Sequence, residues 1–102
     1  MSYRLEFLPE VEQDVKQAYD WYELQRLGLG EDFLLSADAA IESIQRSPFH
    51  FQQLHKAVRK VKTKRFPYGV FFLVESEIIT VIAVLHLARH PKKWKQRAAK
   101  KK

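Results

Sequence analysis

Cysteine is absent from this 102-residue chain, which excludes disulfides and every thiolate-ligated metal site. Glycine is scarce, with three copies at Gly28, Gly30 and Gly69. They make no phosphate-cradling loop, and the chain has neither a P-loop lysine nor a nucleophile elbow. The four histidines, His50, His55, His86 and His90, lack metal-ligand spacing. No metal, cofactor or small-molecule ligand is expected. Long hydrophobic runs are also missing. The longest, Ile78 to Leu87, is broken by Thr80 and His86 and is far too short to span a bilayer. The opening MSYRLEFLPE lacks the apolar core of a secretory signal. A cytoplasmic protein without membrane association is expected.

What remains is a chain with 46% hydrophobic and 29% charged residues, a globular rather than a disordered balance. Its length suits one domain with a modest core and no separate cofactor domain. That domain is expected over residues 1–97, followed by a basic, disordered tail at 98–102. Charge is divided unevenly. Residues 1–55 carry four Lys/Arg and ten Asp/Glu, net −6, and residues 56–102 carry fourteen Lys/Arg and two Asp/Glu, net +12. Such asymmetry suggests a face built to meet a polyanion or an acidic partner.

Residues 3–8 alternate, with Tyr3, Leu5 and Phe7 on one face of a first strand. Pro9 suits a first helical turn, and Glu10, Glu12 and Asp14 lie near the positive end of that helix's dipole. Val11, Val15, Ala18 and Tyr22 make one helical stripe. Gly28 fits a left-handed position that stops the helix. A second helix follows from Glu31, with Phe33, Ala37, Ala40 and Ile44 as its stripe and Ser47-Pro48 as its end. So short a link makes an antiparallel helical hairpin, near 10–27 and 31–46. Residues 49–56 connect. From Ala57 the period becomes two, placing Lys60, Lys62 and Lys64 on one strand face and Arg59, Val61, Thr63 and Arg65 on the other. Val61 and Thr63 should then face the helices. Phe66-Pro67-Tyr68-Gly69 makes a bend, residues 70–75 a third strand, Glu75-Ser76-Glu77 a tight turn, and residues 78–87 a fourth strand, apolar on both faces and so central. The expected fold class is α+β, in the order β-α-α-β-β-β, with the helical hairpin on one face of an antiparallel sheet.

Several segments carry a family resemblance: Trp21-Tyr22-Glu23, Gly28-Leu29-Gly30 before Phe33-Leu34, Arg65-Phe66-Pro67-Tyr68, and His86-Leu87-Ala88-Arg89-His90-Pro91 with Trp94 and Arg97. In this order and spacing the chain resembles, over residues 3–97, the RelE/ParE superfamily of toxins from type II toxin–antitoxin (plasmid stabilisation) systems. The resemblance implies a cognate antitoxin as partner and leaves two targets open. ParE-like members inhibit DNA gyrase; RelE-like members enter the ribosome and cleave mRNA without a metal. A degenerate toxin that only binds antitoxin is a third possibility.

A metal-free ribonuclease needs groups that stabilise phosphate charge and groups that exchange protons. The candidates for such chemistry are Lys60, Lys62, Arg65, His86, Arg89 and His90. Two features depart from the RelE pattern. Gly69 stands where an arginine is placed early in the third strand, and Trp94 where a tyrosine lies near the C-terminus. An indole N–H is no general acid at neutral pH. These departures favour the ParE-like branch and a protein that is not an enzyme. Candidates for contact with a target or nucleic acid are Lys60, Lys62, Lys64, Arg65, Tyr68, Arg89, Trp94 and Arg97. The lysine row suits a binding surface or an ordinary solvated face that discourages edge pairing. Trp21 and Tyr22, on the helical stripe, are expected in the core or facing the antitoxin. His86 is expected to pack at the sheet edge and donate to a backbone carbonyl.

Overall fold

The computed structural model describes residues 3–101. The order is β1 (Arg4–Phe7), α1 (Pro9–Gln25), α2 (Leu29–Arg46), a 3-10 turn (Pro48–His50), β2 (Gln53–His55), β3 (Val58–Lys62), β4 (Tyr68–Glu75), β5 (Ile78–His86) and α3 (Lys93–Lys101). The five strands form one sheet in the order β1-β5-β4-β3-β2. β2 to β5 are antiparallel neighbours, while β1 lies parallel to β5.

The expected helical hairpin and three-stranded meander are present. β2 was legible only as a connection, because three residues are too few to display a period of two. α3 is the larger departure. The helix runs through Ala98 to Lys101, where a disordered tail was expected; Lys102 lies outside the described residues. Its apolar positions, Trp94 and Ala98, are spaced i, i+4, and they pack on the sheet face away from the hairpin. The sheet is therefore covered on both sides. Val11, Ala18, Tyr22, Phe33, Ile44, Val70, Phe72 and Val81 form the hairpin-side core. Val58, Phe71, Leu73, Ile82, Leu85 and Trp94 form the α3-side core.

Strand register follows the alternation expected from the residues. Val61 packs on the hairpin side, Thr63 is buried, and the lysine row is not buried. β5 is central, with β4 on one side and β1 on the other. One irregularity interrupts it: Phe72 pairs with Val81 and Phe71 with Ala83, leaving Ile82 as an extra residue. Ile82 and Ala83 both enter the α3-side core, while Val81 and Val84 enter the other. Such a bulge resets which side chains face which side. At the sheet margin Phe7 is 49% exposed, contrary to its expected place on the buried face, and Leu8 packs against both cores instead.

The link between the helices is fastened from α1. Arg26 ends that helix, donating its N–H to the Tyr22 carbonyl at 3.1 Å. Gly28, at φ 92°, adopts the expected left-handed conformation, though it caps the start of α2 rather than the end of α1. The Glu23 carboxylate accepts the N–H groups of Gly28 (3.1 Å) and Gly30 (2.8 Å). A negative charge there satisfies orphan donors and complements the dipole of α2. A Cβ on Gly30 would lie 2.8 Å from Glu23 Oε1 and from the Tyr19 ring, so glycine is required for this approach. Glu23→Ala should cost about 1–2 kcal/mol, and Glu23→Gln, which keeps one acceptor oxygen, less. Urea denaturation of both variants checks this; equal losses would show that the oxygen acceptor contributes nothing beyond the charge.

Candidate functional site

Four aromatic rings lock the hairpin to the sheet. Phe33 lies 4.9 Å from Tyr68, 5.5 Å from Phe66 and 5.6 Å from Tyr22, and Tyr22 lies 4.8 Å from Phe66. Edge-on and offset contacts at these separations are the favoured aromatic geometry. They hold Tyr68, the first residue of β4, under the end of α1. Tyr68 pairs across the strands with His86, whose ring meets it edge-on at 5.3 Å.

His86 turns the chain out of β5. Its Nδ1 accepts the backbone N–H groups of Ala88 and Arg89, each at 3.1 Å. This corrects the expected donation to a carbonyl. Two N–H donors on one ring nitrogen require a lone pair there, which assigns the proton to Nε2. Burial first, then the Arg89 charge and the neighbouring His90, push the His86 pKa below its ordinary value, so the ring is neutral at pH 7. The turn carries Arg89 back over α1, where its guanidinium sits 5.4 Å above the Trp21 ring. Trp21, Tyr68, His86, Arg89, His90 and Lys93 thus surround one cleft of about 180 Å³ between α1 and the end of β5.

The wall of that cleft is a buried ion pair. Beyond the last β1–β5 pair, Phe7 with Val81, the edge of β5 has no neighbouring strand. Asp14 Oδ2 accepts the Val84 N–H at 3.0 Å, and Arg97 Nη1 donates to the Ile82 carbonyl at 3.1 Å. The two side chains bind each other, with Arg97 Nη2 2.8 Å from Asp14 Oδ1 and Nη1 on Oδ2. A helix residue and a C-terminal residue thereby complete the hydrogen bonding that a longer β1 would supply. The Asp14 partnership raises the Arg97 pKa further. Asp14 is consequently not the dipole-facing surface residue that its place in the first turns suggests. The signal was present, since an acidic residue among Val11, Val15 and Ala18 falls on the buried stripe.

The structure divides the other sequence candidates. Arg97 and Trp94 are buried and unavailable to a target; Trp94 stacks on Phe71 at 5.4 Å and donates its Nε1–H to the Pro91 carbonyl. Tyr22 belongs to the core, one of the two places expected of it; Tyr68 is also largely buried there, which corrects its expected role as an exposed target contact, while Trp21 is 44% exposed. Lys60 and Lys62 pair with Phe71 and Gly69, on the α3 side of the sheet. There a Cβ on Gly69 would lie 2.8 Å from Leu87 Cδ2 and 3.3 Å from the Lys60 stem. Leucine thus fills the space beside the lysine pair. His86 and Tyr68 are on the hairpin side. Lys64 and Arg65 lie at the end of β3, along a groove shared with Leu35, Ser36 and Ala39 of α2. Arg65 is 3.6 Å from Asp32, and the Ser36 hydroxyl donates to the Lys64 carbonyl.

Residues 5–91 match the family described as the ParE toxin of the type II toxin–antitoxin system parDE. No curated protein sequence matches the chain. Among solved structures it is similar to a chain of the chromosomal ParDE toxin–antitoxin system from P. aeruginosa, at 15% identity and a TM-score of 0.74, covering 83% of this chain and 96% of that one. It is also similar to E. coli toxin RelE, a double arginine-to-alanine mutant in the free state, at 16% identity and a TM-score of 0.59, covering 99% and 98%.

Proposed function

Because this chain belongs to the ParE toxin family of type II toxin–antitoxin systems, we propose that it arrests growth by binding DNA gyrase and is neutralised by a cognate acidic antitoxin. One observation carries the choice of target. The groups a metal-free ribonuclease would combine lie on opposite faces of the sheet, Lys60 and Lys62 on the α3 side and His86 on the hairpin side. General acid–base chemistry needs proton donor and charge stabiliser within reach of one reacting phosphate. The sheet keeps the lysine pair away from any phosphate that His86 and Arg89 could share, so a ribonuclease here would work without the basic strand pair. Gly69, closed over by Leu87, and the buried Trp94 support the same reading. The similarity to a ParDE system and the +12 balance of residues 56–102 support an acidic antitoxin as partner. Among the described residues no helix is long and apolar enough to cross a membrane.

Two assays on the purified full chain test the target. In a gyrase supercoiling reaction it should inhibit at concentrations comparable to the enzyme's. In cell-free translation followed by primer extension, the mRNA should stay intact. Codon-specific cleavage with unimpaired supercoiling would replace this reading by a ribosome-dependent nuclease. Silence in both, from folded protein, would leave a chain that only binds antitoxin.

A further inference from the structure

The cleft at the end of β5 gathers polar groups from α1, β4, β5 and the turn that follows it. Its inner wall is neutral, because Arg97 compensates Asp14 in full. Arg89, His90 and Lys93 line it and form no ion pair among the described residues. Tyr68 contributes a hydroxyl and His86 its Nε2–H. The Arg89 guanidinium lies 5.4 Å over the ring of Trp21, which also lines the cleft, so it sits at the mouth rather than away in solvent. The volume, about 180 Å³, corresponds to about six waters. That admits one acidic side chain.

A second feature adjoins it. Gln17 and Trp21 line the cleft, and Leu24 follows at i+3 from Trp21, on the same side of the helix. Leu24 is 84% exposed and Leu27, just past the helix, 86%. An apolar strip therefore leads from the cationic cleft along the end of α1. Contiguous exposed apolar surface beside converging charge marks an interaction site.

We propose that this cleft and strip dock an acidic, amphipathic polypeptide segment. One carboxylate enters between Arg89, the His86 Nε2–H and the Tyr68 hydroxyl, and flanking apolar side chains cover Trp21, Leu24 and Leu27. The proposal rests on the reading that the chain has an acidic protein partner, and it adds where that partner is held. Nucleic acid fits less well. A sugar–phosphate strand needs a track of positive charge, whereas these donors converge on one point and the adjoining surface is leucine. The groove between α2 and β3 competes less well, since Asp32 on its rim already engages Arg65.

The test uses the full chain and three probes: a 15-residue peptide of glutamate, leucine and alanine, the same peptide with glutamine for glutamate, and a single-stranded RNA 15-mer. Binding is followed by tryptophan fluorescence, with Trp21→Phe identifying the reporting ring, on variants whose circular dichroism matches the parent. The acidic peptide should bind and the glutamine peptide should not. Arg89→Met should weaken binding about 10- to 100-fold, Arg89→Lys should restore part of it, and Leu24→Asn should weaken it about tenfold. Lys64→Gln, which removes equal charge from the α2–β3 groove, should change it less than threefold. A larger effect from Lys64→Gln than from Arg89→Met would overturn the site while sparing the acidic partner. RNA binding tighter than the peptide's and weakened by Arg89→Met would assign the cleft to nucleic acid instead. Failure of the acidic peptide to bind would overturn both site and partner chemistry.

Discussion

Arg97→Met should destabilise the protein by about 3–5 kcal/mol, the typical cost of removing one partner from a buried ion pair. The variant leaves the Asp14 carboxylate buried with the Val84 N–H as its remaining partner and leaves the Ile82 carbonyl without its guanidinium donor. Against a total stability of about 5–15 kcal/mol for a domain this size, that is a large fraction. The loss should be localised first at α3, which Arg97 ties to α1 and β5, so limited proteolysis should cut the C-terminal helix before the rest unfolds. Replacing both partners, Asp14→Leu with Arg97→Met, should recover much of the loss, because no uncompensated charge then remains. A single variant within about 1 kcal/mol of the parent by urea denaturation would show that the pair is not what closes the β5 edge.

The second large effect is expected at Phe33. Its side chain is fully buried and touches Tyr22, Phe66 and Tyr68. Phe33→Ala should cost about 3–5 kcal/mol, from lost transfer energy and from the cavity left behind. Phe33→Leu should cost less than half as much. The consequence extends to the cleft, since Tyr68 is positioned by this cluster. In Phe33→Ala protein held under folding conditions, the Tyr68 and His86 ring resonances should broaden or shift while those of Trp94, in the other core, stay in place. Uniform shifts in both cores would mean that the two sides of the sheet are not separately packed.

Much of this was legible in the chain. The stripe Phe33, Ala37, Ala40, Ile44 announced α2 and its buried face, because a period near 3.6 survives only where one helix side meets a core. The alternation through Val61 and Thr63 announced which side of β3 faces the hairpin. Residue chemistry also indicated the basic half and the absence of a phosphate loop. Less legible were the fates of single polar and aromatic residues. Trp94 and Arg97 looked like surface groups in a lysine-rich end. They are buried because a helix that the period was too short to announce folds across the sheet. Glu23 and Asp14 looked like ordinary helical acids until the chain brought Gly28 and Gly30 to one and Val84 and Arg97 to the other.

The sequence by itself determined β1, the helical hairpin, the three-stranded meander and the two-sided burial of β5, since these follow from local periodicity and composition, but not β2 or α3. Only the tertiary structure decided which candidate residues share a site. An unbroken period of two from Ile79 and Val81 would place Ala83 and Leu85 on the hairpin side, and His86 on the other face with Lys60 and Lys62. The extra residue at Ile82 reverses that order, puts Val84 with the hairpin core and brings His86 to Tyr68. A bulge is set by how β5 fits against β4, β1 and the Asp14–Arg97 pair together. Nothing within the nine residues of β5 specifies it, because each side chain there is equally at ease on either face of a sheet buried on both sides.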